Sequence, residues 1–373
     1  MMNAPREQFD IPATTFNGKP FTLRAVRLIN AGRIPLILWE GFYQNGIFFD
    51  VMPGSGSIAE YLHASGYDVW MLNSRGNGGS TGTHYFASMD DFAAIDIPTV
   101  IAFVTAKVGR RPVYVGHSQG GNTALMSMMG ACKKPDGEVY LSEAEARTRQ
   151  ESLLALVTLG SYLDFTFSKS SSLQQFVREG VVLTLFGHKF HIISSDGILK
   201  ILHILKRIPV PVPLALREAM INSKALRIIL FPLTLILNFV SLMKTWEFLY
   251  HIPNVSREAR LRLFYRTMQS TYWGILYQYQ QAVKFEKMMS VDKRVNFSEH
   301  YPAVTLPISV VTMEYDTLAD AEQTRIVMFP KLGSTEKYFT EWMGQGHEDF
   351  VMNPDYFHQL TDAINLLNLG DRT

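Results

Sequence analysis

Between Pro112 and Ala131, a short run of β-branched and aromatic residues (Pro112-Val-Tyr-Val-Gly-His-Ser118) passes directly into a segment in which Ala124, Leu125, Met128 and Met129 repeat at helical spacing. The run reads as a buried strand and the segment as a helix, which leaves only Gly116-x-Ser118-x-Gly120 for the turn between them. A turn this tight strains the backbone at its apex, and a Cβ two residues to either side would collide with the strand or the helix. Glycine at 116 and 120 removes that collision. Ser118 then projects its Oγ at the amino end of a helix, where free N–H groups and the positive end of the dipole favour a developing anion. That is the setting of a nucleophile. A second Gly-x-Ser-x-Gly, Gly78-Gly79-Ser80-Thr81-Gly82, has no helix opening after it and reads as a loop.

The surrounding pattern extends the same architecture. Pro35–Gly41 reads as a buried strand, Ile58–Ser65 as a helix, Tyr67–Asn73 as a strand, and Asp90–Val108 as a helix limited by Pro98. The elbow follows, and then the strand-like Leu153–Gly160. Alternation at this spacing predicts βαβ units and a doubly wound, mostly parallel sheet with helices on both faces. Lys133–Glu151 is polar and reads as including an exposed excursion. From about 161 to 300 strand signals fade, and apolar or amphipathic helical segments broken by prolines take over. The sheet pattern returns with Leu306–Tyr315 and Tyr338–Met343. The economical division is an α/β core of residues 1–160 and 301–373 with a helical cap, 161–300, inserted over the carboxyl ends of the strands.

Charge and composition exclude several classes. Lys+Arg 35 against Asp+Glu 34 gives a net charge of +1 with no basic block, which argues against a nucleic-acid partner. Cys132 is the only cysteine, so an intrachain disulfide is impossible. It is placed on the helix after the nucleophile, as packing. The amino terminus shows no apolar signal region, and together these features point to a cytoplasmic protein. Hydrophobic residues make up 47% and charged residues 18% of the chain. Much of the excess sits in Ile228–Met243, which has no charged residue but is interrupted by Pro232 and Asn238. It is shorter than the roughly 20 residues of a spanning helix and reads as a buried or membrane-facing cap helix. His188-x-x-His191 lacks a third ligand, and no phosphate or dinucleotide loop is present, so neither a metal nor a cofactor is implied.

A serine hydroxyl needs a base, and the base needs an orienting acid. In sheets of this kind the chain order is serine, acid, histidine. Of the seven histidines after Ser118, His347 is best placed, in the glycine-rich loop Gly344-Gln-Gly-His-Glu-Asp-Phe350 after the last strand. Asp316, which ends the strand Ile308–Tyr315, is the leading acid. Asp320 and Asp164 remain alternatives, and Asp320 reads equally as the start of the next helix. The oxyanion donors expected are the backbone N–H groups of Gln119 and of Phe42, which follows Glu40-Gly41 at the end of an early strand.

Gly66-Tyr-Asp-Val-Trp-Met-Leu-Asn-Ser-Arg-Gly-Asn77, Asp96-Ile-Pro98, Tyr114–Gly120, Asp316-Thr-Leu-Ala-Asp320 and His347-Glu-Asp-Phe350 resemble the signature stretches of the acid lipases, the gastric and lysosomal lipase group of the α/β-hydrolases. The resemblance covers both halves of the core and is faint across the cap. It implies an α/β-hydrolase fold, a triad of Ser118, Asp316 and His347, oxyanion donors Phe42 and Gln119, and hydrolysis of acylglycerols or sterol esters under a helical lid. The family usually carries His-Gly where this chain has Glu40-Gly41, and it carries a secretory signal and cysteines that are absent here. A carboxylate beside an oxyanion hole opposes negative charge unless it is protonated or paired, for example with Arg75. Glu40 either points away, leaving only its backbone at the site, or shifts activity toward a particular pH or substrate.

The apolar, methionine-containing character of residues 181–250 and of Met288-Met289 favours a lipophilic acyl substrate, and the same surface suits peripheral contact with a membrane or lipid droplet. Acyl transfer to an alcohol, or lipid binding without catalysis, are the competing functions. Oligomeric state is not legible in the sequence.

Overall fold

The structure, a computed structural model, describes residues 4–52, 56–82, 87–166, 181–185, 188–193, 249–269 and 271–372. Twelve strands are described: β1 (Arg6–Thr14), β2 (Pro20–Leu28), β3 (Pro35–Trp39), β4 (Asp68–Asn73), β5 (Val113–His117), β6 (Ala131–Lys133), β7 (Val139–Leu141), β8 (Ala155–Leu159), β9 (Val181–Leu185), β10 (His188–Ile193), β11 (Ile308–Met313) and β12 (Lys337–Trp342). Eight of them form one sheet in the order β1-β2-β4-β3-β5-β8-β11-β12. From β4 to β12 every neighbouring pair is parallel.

Five of these strands, β3, β4, β5, β8 and β11, are buried at every position, because helices cover both faces. Alternate side chains feed two cores. Ile37, Trp39, Trp70, Tyr114, Leu156 and Val310 pack with Ile97, Val100, Leu125 and Met128 on one face. Leu36, Leu38, Val69, Met71, Val115 and Val157 pack with Ile58, Leu62, Leu360 and Ile364 on the other. Each fully buried aliphatic side chain contributes about 1.5–3 kcal/mol relative to exposure. The chain leaves β3 toward β4 on one side and returns to β5 on the other. The carboxyl ends of β3 and β5 therefore flank a topological switch point, the place where sheets of this kind leave an open crevice.

Several elements differ from the sequence reading. The antiparallel β1–β2 ribbon, paired from Arg6↔Leu28 to Thr14↔Pro20, was not anticipated. Its inward residues Ile11, Ala13, Phe21, Leu23 and Ala25 alternate with solvated ones such as Asp10 and Arg24, which pair across the strands, so no continuous apolar run marks it. Pro12 is tolerated because β1 is an edge strand.

Lys133–Glu151 includes exposed positions such as 134–136 and 143–145, and also a buried brace that its polarity did not suggest. After β6–β7, the helix Glu143–Glu151 buries Arg149 and Gln150 as braces. Arg149 Nη1 donates to the carbonyls of Ala131 (2.7 Å) and Ser127 (3.3 Å), and Gln150 Nε2 to those of Met128 and Ala303 (both 2.8 Å). They tie the end of the elbow helix (Ser127, Met128) to β6 (Ala131) and to the distant turn at Ala303. Cys132 lies on β6, beyond that helix, with Sγ 3.6 Å from Arg149 Nη2. The helical segment around Pro98 is irregular only at its amino-terminal part, as the proline's position implies. A π turn at Phe92–Asp96, closed by the Ile97 N–H on the Phe92 carbonyl, precedes Ile97–Val108 and absorbs the missing proline donor.

Within 161–300, where strand signals fade and helical segments were expected to dominate, β9 and β10 form an antiparallel pair; Val181-Val-Leu-Thr-Leu185 is a β-branched run that suits a strand better than a helix. Helices Arg257–Thr267 and Trp273–Phe285 follow. Ile228–Met243 and the side chains of His188 and His191 lie outside the described residues. Among the described residues no helix is long and apolar enough to cross a membrane, and no cluster of three or more His, Cys, Asp or Glu is arranged to hold a metal ion.

The approach of the elbow to β3 gives a direct test. A Cβ on Gly120 would stand 2.6 Å from the Trp39 carbonyl oxygen and 2.8 Å from that of Glu40, both backbone atoms that cannot swing aside. Gly120→Ala is expected to destabilise the fold by roughly 2 kcal/mol or more, whereas Gly370→Ala, with nothing within 4 Å, leaves the melting temperature nearly unchanged. Thermal unfolding followed by circular dichroism distinguishes the two.

Candidate active site

Ser118 joins β5 to the helix Gln119–Met128 with φ 51° and ψ −115°, a conformation costly for any residue with a Cβ. Contacts on both sides hold it there. Its N–H donates to the Leu159 carbonyl (2.8 Å), and its own carbonyl accepts from Asn122 N–H (2.9 Å) and Ser161 Oγ (3.0 Å). A Cβ on Gly116 would fall 2.5 Å from Gly121 N, so the glycine is required by the close approach of strand and helix. Ser118 is partly exposed in the midst of buried neighbours from Pro112 to Met129. The other Gly-x-Ser-x-Gly serine, Ser80, is buried and fully engaged: it donates to the Asn73 carbonyl and accepts from Arg24 N–H, both at 2.8 Å.

His347 and Asp316 meet over the end of β8. His347 Nδ1 lies 2.5 Å from Asp316 Oδ2, and Asp316 Oδ1 accepts from the N–H groups of Leu318 (2.7 Å) and Ala319 (3.0 Å). Both residues are buried. A Cβ on Gly160 would stand 2.9 Å from His347 Nδ1, so the glycine after β8 leaves room for the pair, while Leu159 beside it holds the Ser118 amide. The elbow and the histidine loop also touch directly. His117 and His347 ring centroids are 4.6 Å apart, and His117 Nε2 is 3.0 Å from the His347 carbonyl oxygen. Residues 117–118 and 347, 230 positions apart, therefore share one end of the sheet.

The two imidazoles differ in their electrostatics. Burial opposes the charged form of His347, but Asp316 outweighs it and raises His347 above the ordinary histidine value. His117 is buried without a carboxylate partner and is held well below that value. It is therefore neutral, with the proton on Nε2 to serve the carbonyl. The alternative acids lie elsewhere. Asp320 caps the short helix Ala321–Gln323, accepting from Gln323 N–H at 3.0 Å, and Asp164 is hydrogen-bonded to Tyr301.

The loop after β3 leans on the elbow. A Cβ on Gly41 would stand 3.1 Å from Ser118 Cβ and 3.0 Å from His117 Nδ1. Phe42 follows, with its ring edge-on to Tyr43 (4.3 Å) and Tyr279 (5.2 Å). Gln119 opens the elbow helix, where first-turn N–H groups have no intrahelical acceptor. Glu40 is not paired with Arg75, whose guanidinium is taken by Asp96 (Nε to Oδ2 3.0 Å). Instead Glu40 Oε1 accepts from Ser74 N–H at 2.6 Å, Oε2 is buried without a partner, and burial pushes the carboxyl up to about 7. Three further residues meet this site without having been singled out in the sequence: Gly160, Gln44 and Glu348. Only Glu348, adjacent to His347, carried any signal.

A family model described as alpha/beta hydrolase fold matches residues 34–129. Gastric triacylglycerol lipase of Rattus norvegicus is 35% identical over 102 residues, 24% of this chain and 26% of that protein. Its Mus musculus counterpart is 25% identical over 330 residues, 83% of this chain and 74% of that protein. The alignment thus spans about a quarter of the rat relative's length. Among solved structures, a thermophilic esterase from Thermogutta terrifontis superposes with a TM-score of 0.52 at 15% identity, covering 97% of this chain and 99% of that one. The fold is the α/β-hydrolase fold, and the chain resembles the acid lipases, lipase- and esterase-like members of it.

Glu40 yields a stability test. A carboxyl raised from 4.5 to about 7 in the folded state contributes its stability in full below the unfolded value, and that contribution is lost as pH rises through about 7. Glu40→Gln is therefore expected to raise the melting temperature more at pH 8 than at pH 5, equivalent to at most about 3 kcal/mol. Differential scanning calorimetry at the two pH values measures it; an equal effect at both would show that Glu40 keeps its charge when folded.

Proposed function

We propose that this protein is a serine hydrolase that cleaves carboxylic esters of lipophilic, medium- or long-chain acyl groups through an acyl-enzyme intermediate. The observation that carries the reading is the strained Ser118 elbow, tied to Leu159, next to a buried His347–Asp316 pair seated against Gly160. Ser118 is the nucleophile, His347 the general base and Asp316 its orienting acid. With Nδ1 engaged by Asp316, Nε2 of His347 is the nitrogen left to take the Ser118 proton. Oγ adds to the ester carbonyl, and the N–H groups of Phe42 and Gln119 receive the charge that forms on its oxygen. Collapse expels the alcohol, protonated by His347. Water then repeats the sequence on the acyl-enzyme, giving the acid and free Ser118.

The likeness to gastric lipases supports ester hydrolysis, and the aromatic row Phe42, Tyr279 and Phe165 beside the elbow supports an apolar acyl group. Residues 161–300, apolar in sequence, are assigned as the cap and as the part that meets membranes or lipid particles peripherally. The raised His347 predicts an acid limb above the ordinary histidine value, because the base works only when unprotonated.

The test is a p-nitrophenyl ester series from acetate to palmitate. The rate is expected to rise with chain length beyond acetate, and a profile peaking at acetate would refute the lipophilic assignment. Ser118→Ala is expected to lower kcat by roughly 10⁴-fold or more, and Asp316→Asn by about 10⁴-fold. Addition of alcohol acceptors reports acyl transfer as a competing outcome.

A further inference from the structure

The side chain of Gln44 is hydrogen-bonded at both ends, across a sequence gap of 304 residues. Its Oε1 accepts from Gly41 N–H at 3.2 Å, and its Nε2 donates to Glu348 Oε1. The amide orientation is not arbitrary, because Gly41 N–H can only donate and so fixes the oxygen toward it. Gln44 is 2% exposed and Glu348 3%, so both polar groups have left water and depend on this contact. Gly41 is the residue that abuts Ser118, and Phe42 follows it; Glu348 follows His347. We propose that Gln44 and Glu348 are positioning residues that clamp the oxyanion loop to the histidine loop, holding the Phe42 amide and the His347 imidazole in one fixed relation about Ser118. This rests on the hydrolase reading above and adds to it two residues that touch neither substrate nor reacting atoms.

The rest of the loop shows why a clamp is needed. Tyr43 adopts φ 62°, a left-handed conformation unfavourable for an aromatic residue, and its carbonyl accepts from Gln269 N–H at 2.7 Å. Asn77 Nδ2 donates to the Gln44 carbonyl at 3.3 Å. These bonds fix the far side of the loop, and the side chain of Gln44 fixes the side that faces the elbow. On the opposite partner, Glu348 N–H donates to the Leu249 carbonyl at 2.7 Å, while Oε2 is buried without a partner. The titratable groups around Glu348 are His347 and Asp349 on its own loop, Asp316 on the loop after β11, and Tyr250. Burial dominates them and pushes Glu348 up to about 8. Below that pH the clamp is neutral. Above it, a negative charge arises beside the loop that must receive an oxyanion.

The test is a double-mutant cycle on the full chain with p-nitrophenyl butyrate, measuring kcat, KM and melting temperature from pH 6 to pH 10. Gln44→Leu and Glu348→Leu are each expected to lower kcat by about 10- to 100-fold with KM nearly unchanged. The double variant should lose no more than the worse single, because either change opens the same clamp. Glu348→Gln, which still accepts from Gln44, should recover part of the loss of Glu348→Leu and shift the alkaline limb upward. Single effects that multiply in the double variant, or losses that track the folded fraction alone, would overturn the clamp. If the leucine variants do not fold, Gln44→Met, which removes both hydrogen bonds at nearly constant volume, carries the test, and an unchanged kcat in that folded variant overturns the proposal. An inert wild type would overturn the hydrolase reading together with this one; an active wild type with uncoupled variants would overturn only the clamp.

Discussion

The close approach of the β5–Ser118–helix turn to its neighbours is the constraint on which the rest of the molecule depends. The helix Gln119–Met128 starts so near the ends of β3 and β5 that a single added Cβ at 116 or 120 would overlap backbone. Strain of this kind persists only where surrounding contacts over-determine it. Here the Leu159 carbonyl, Ser161 Oγ and the first turn of the helix do so. The same packing brings three loops, after β3, β5 and β8, to one edge of the crevice, so the strained serine and its environment are consequences of one geometry.

Around that turn the protein has accumulated buried ionisable groups with different roles. Arg75–Asp96 and Asp68 with Arg27 are compensated pairs that support the sheet. Glu40 and Glu348 are each buried with one oxygen unpartnered, and both are pushed toward neutral pH by desolvation. Burial favours the neutral form of both carboxyls, which lessens the negative charge that Glu40 brings to the loop after β3, where the acid lipases usually carry a histidine. His347 is also shifted upward, but in its case the Asp316 carboxylate favours the charged form against burial, whereas in the two glutamates burial favours the neutral form.

Much of this arrangement is legible in the linear sequence because its cause is local. β3, β4, β5, β8 and β11 are buried on both faces and read as apolar runs, and the elbow glycines follow from sterics within five residues. The β1–β2 ribbon escaped because one of its faces is solvated and its charges interrupt the run. The burial of Arg149 and Gln150 within an otherwise exposed polar stretch was not legible, because hydrophilic side chains are buried where carbonyls of distant segments accept from them. For the same reason the occupant of Arg75 proved to be Asp96. Nothing in the vicinity of Gln44 announces that its amide reaches a glutamate more than 300 residues away. Long-range polar contacts depend on the assembled fold, and residue type alone does not reveal them.

The most direct measurement of the central claim is to react the protein with a fluorophosphonate and identify the modified residue by peptide mass spectrometry across a pH series. The account requires one adduct, on Ser118, formed at a rate that falls as His347 becomes protonated and that collapses in His347→Ala. An adduct on Ser80, or an unreactive protein whose fold is intact, would contradict it.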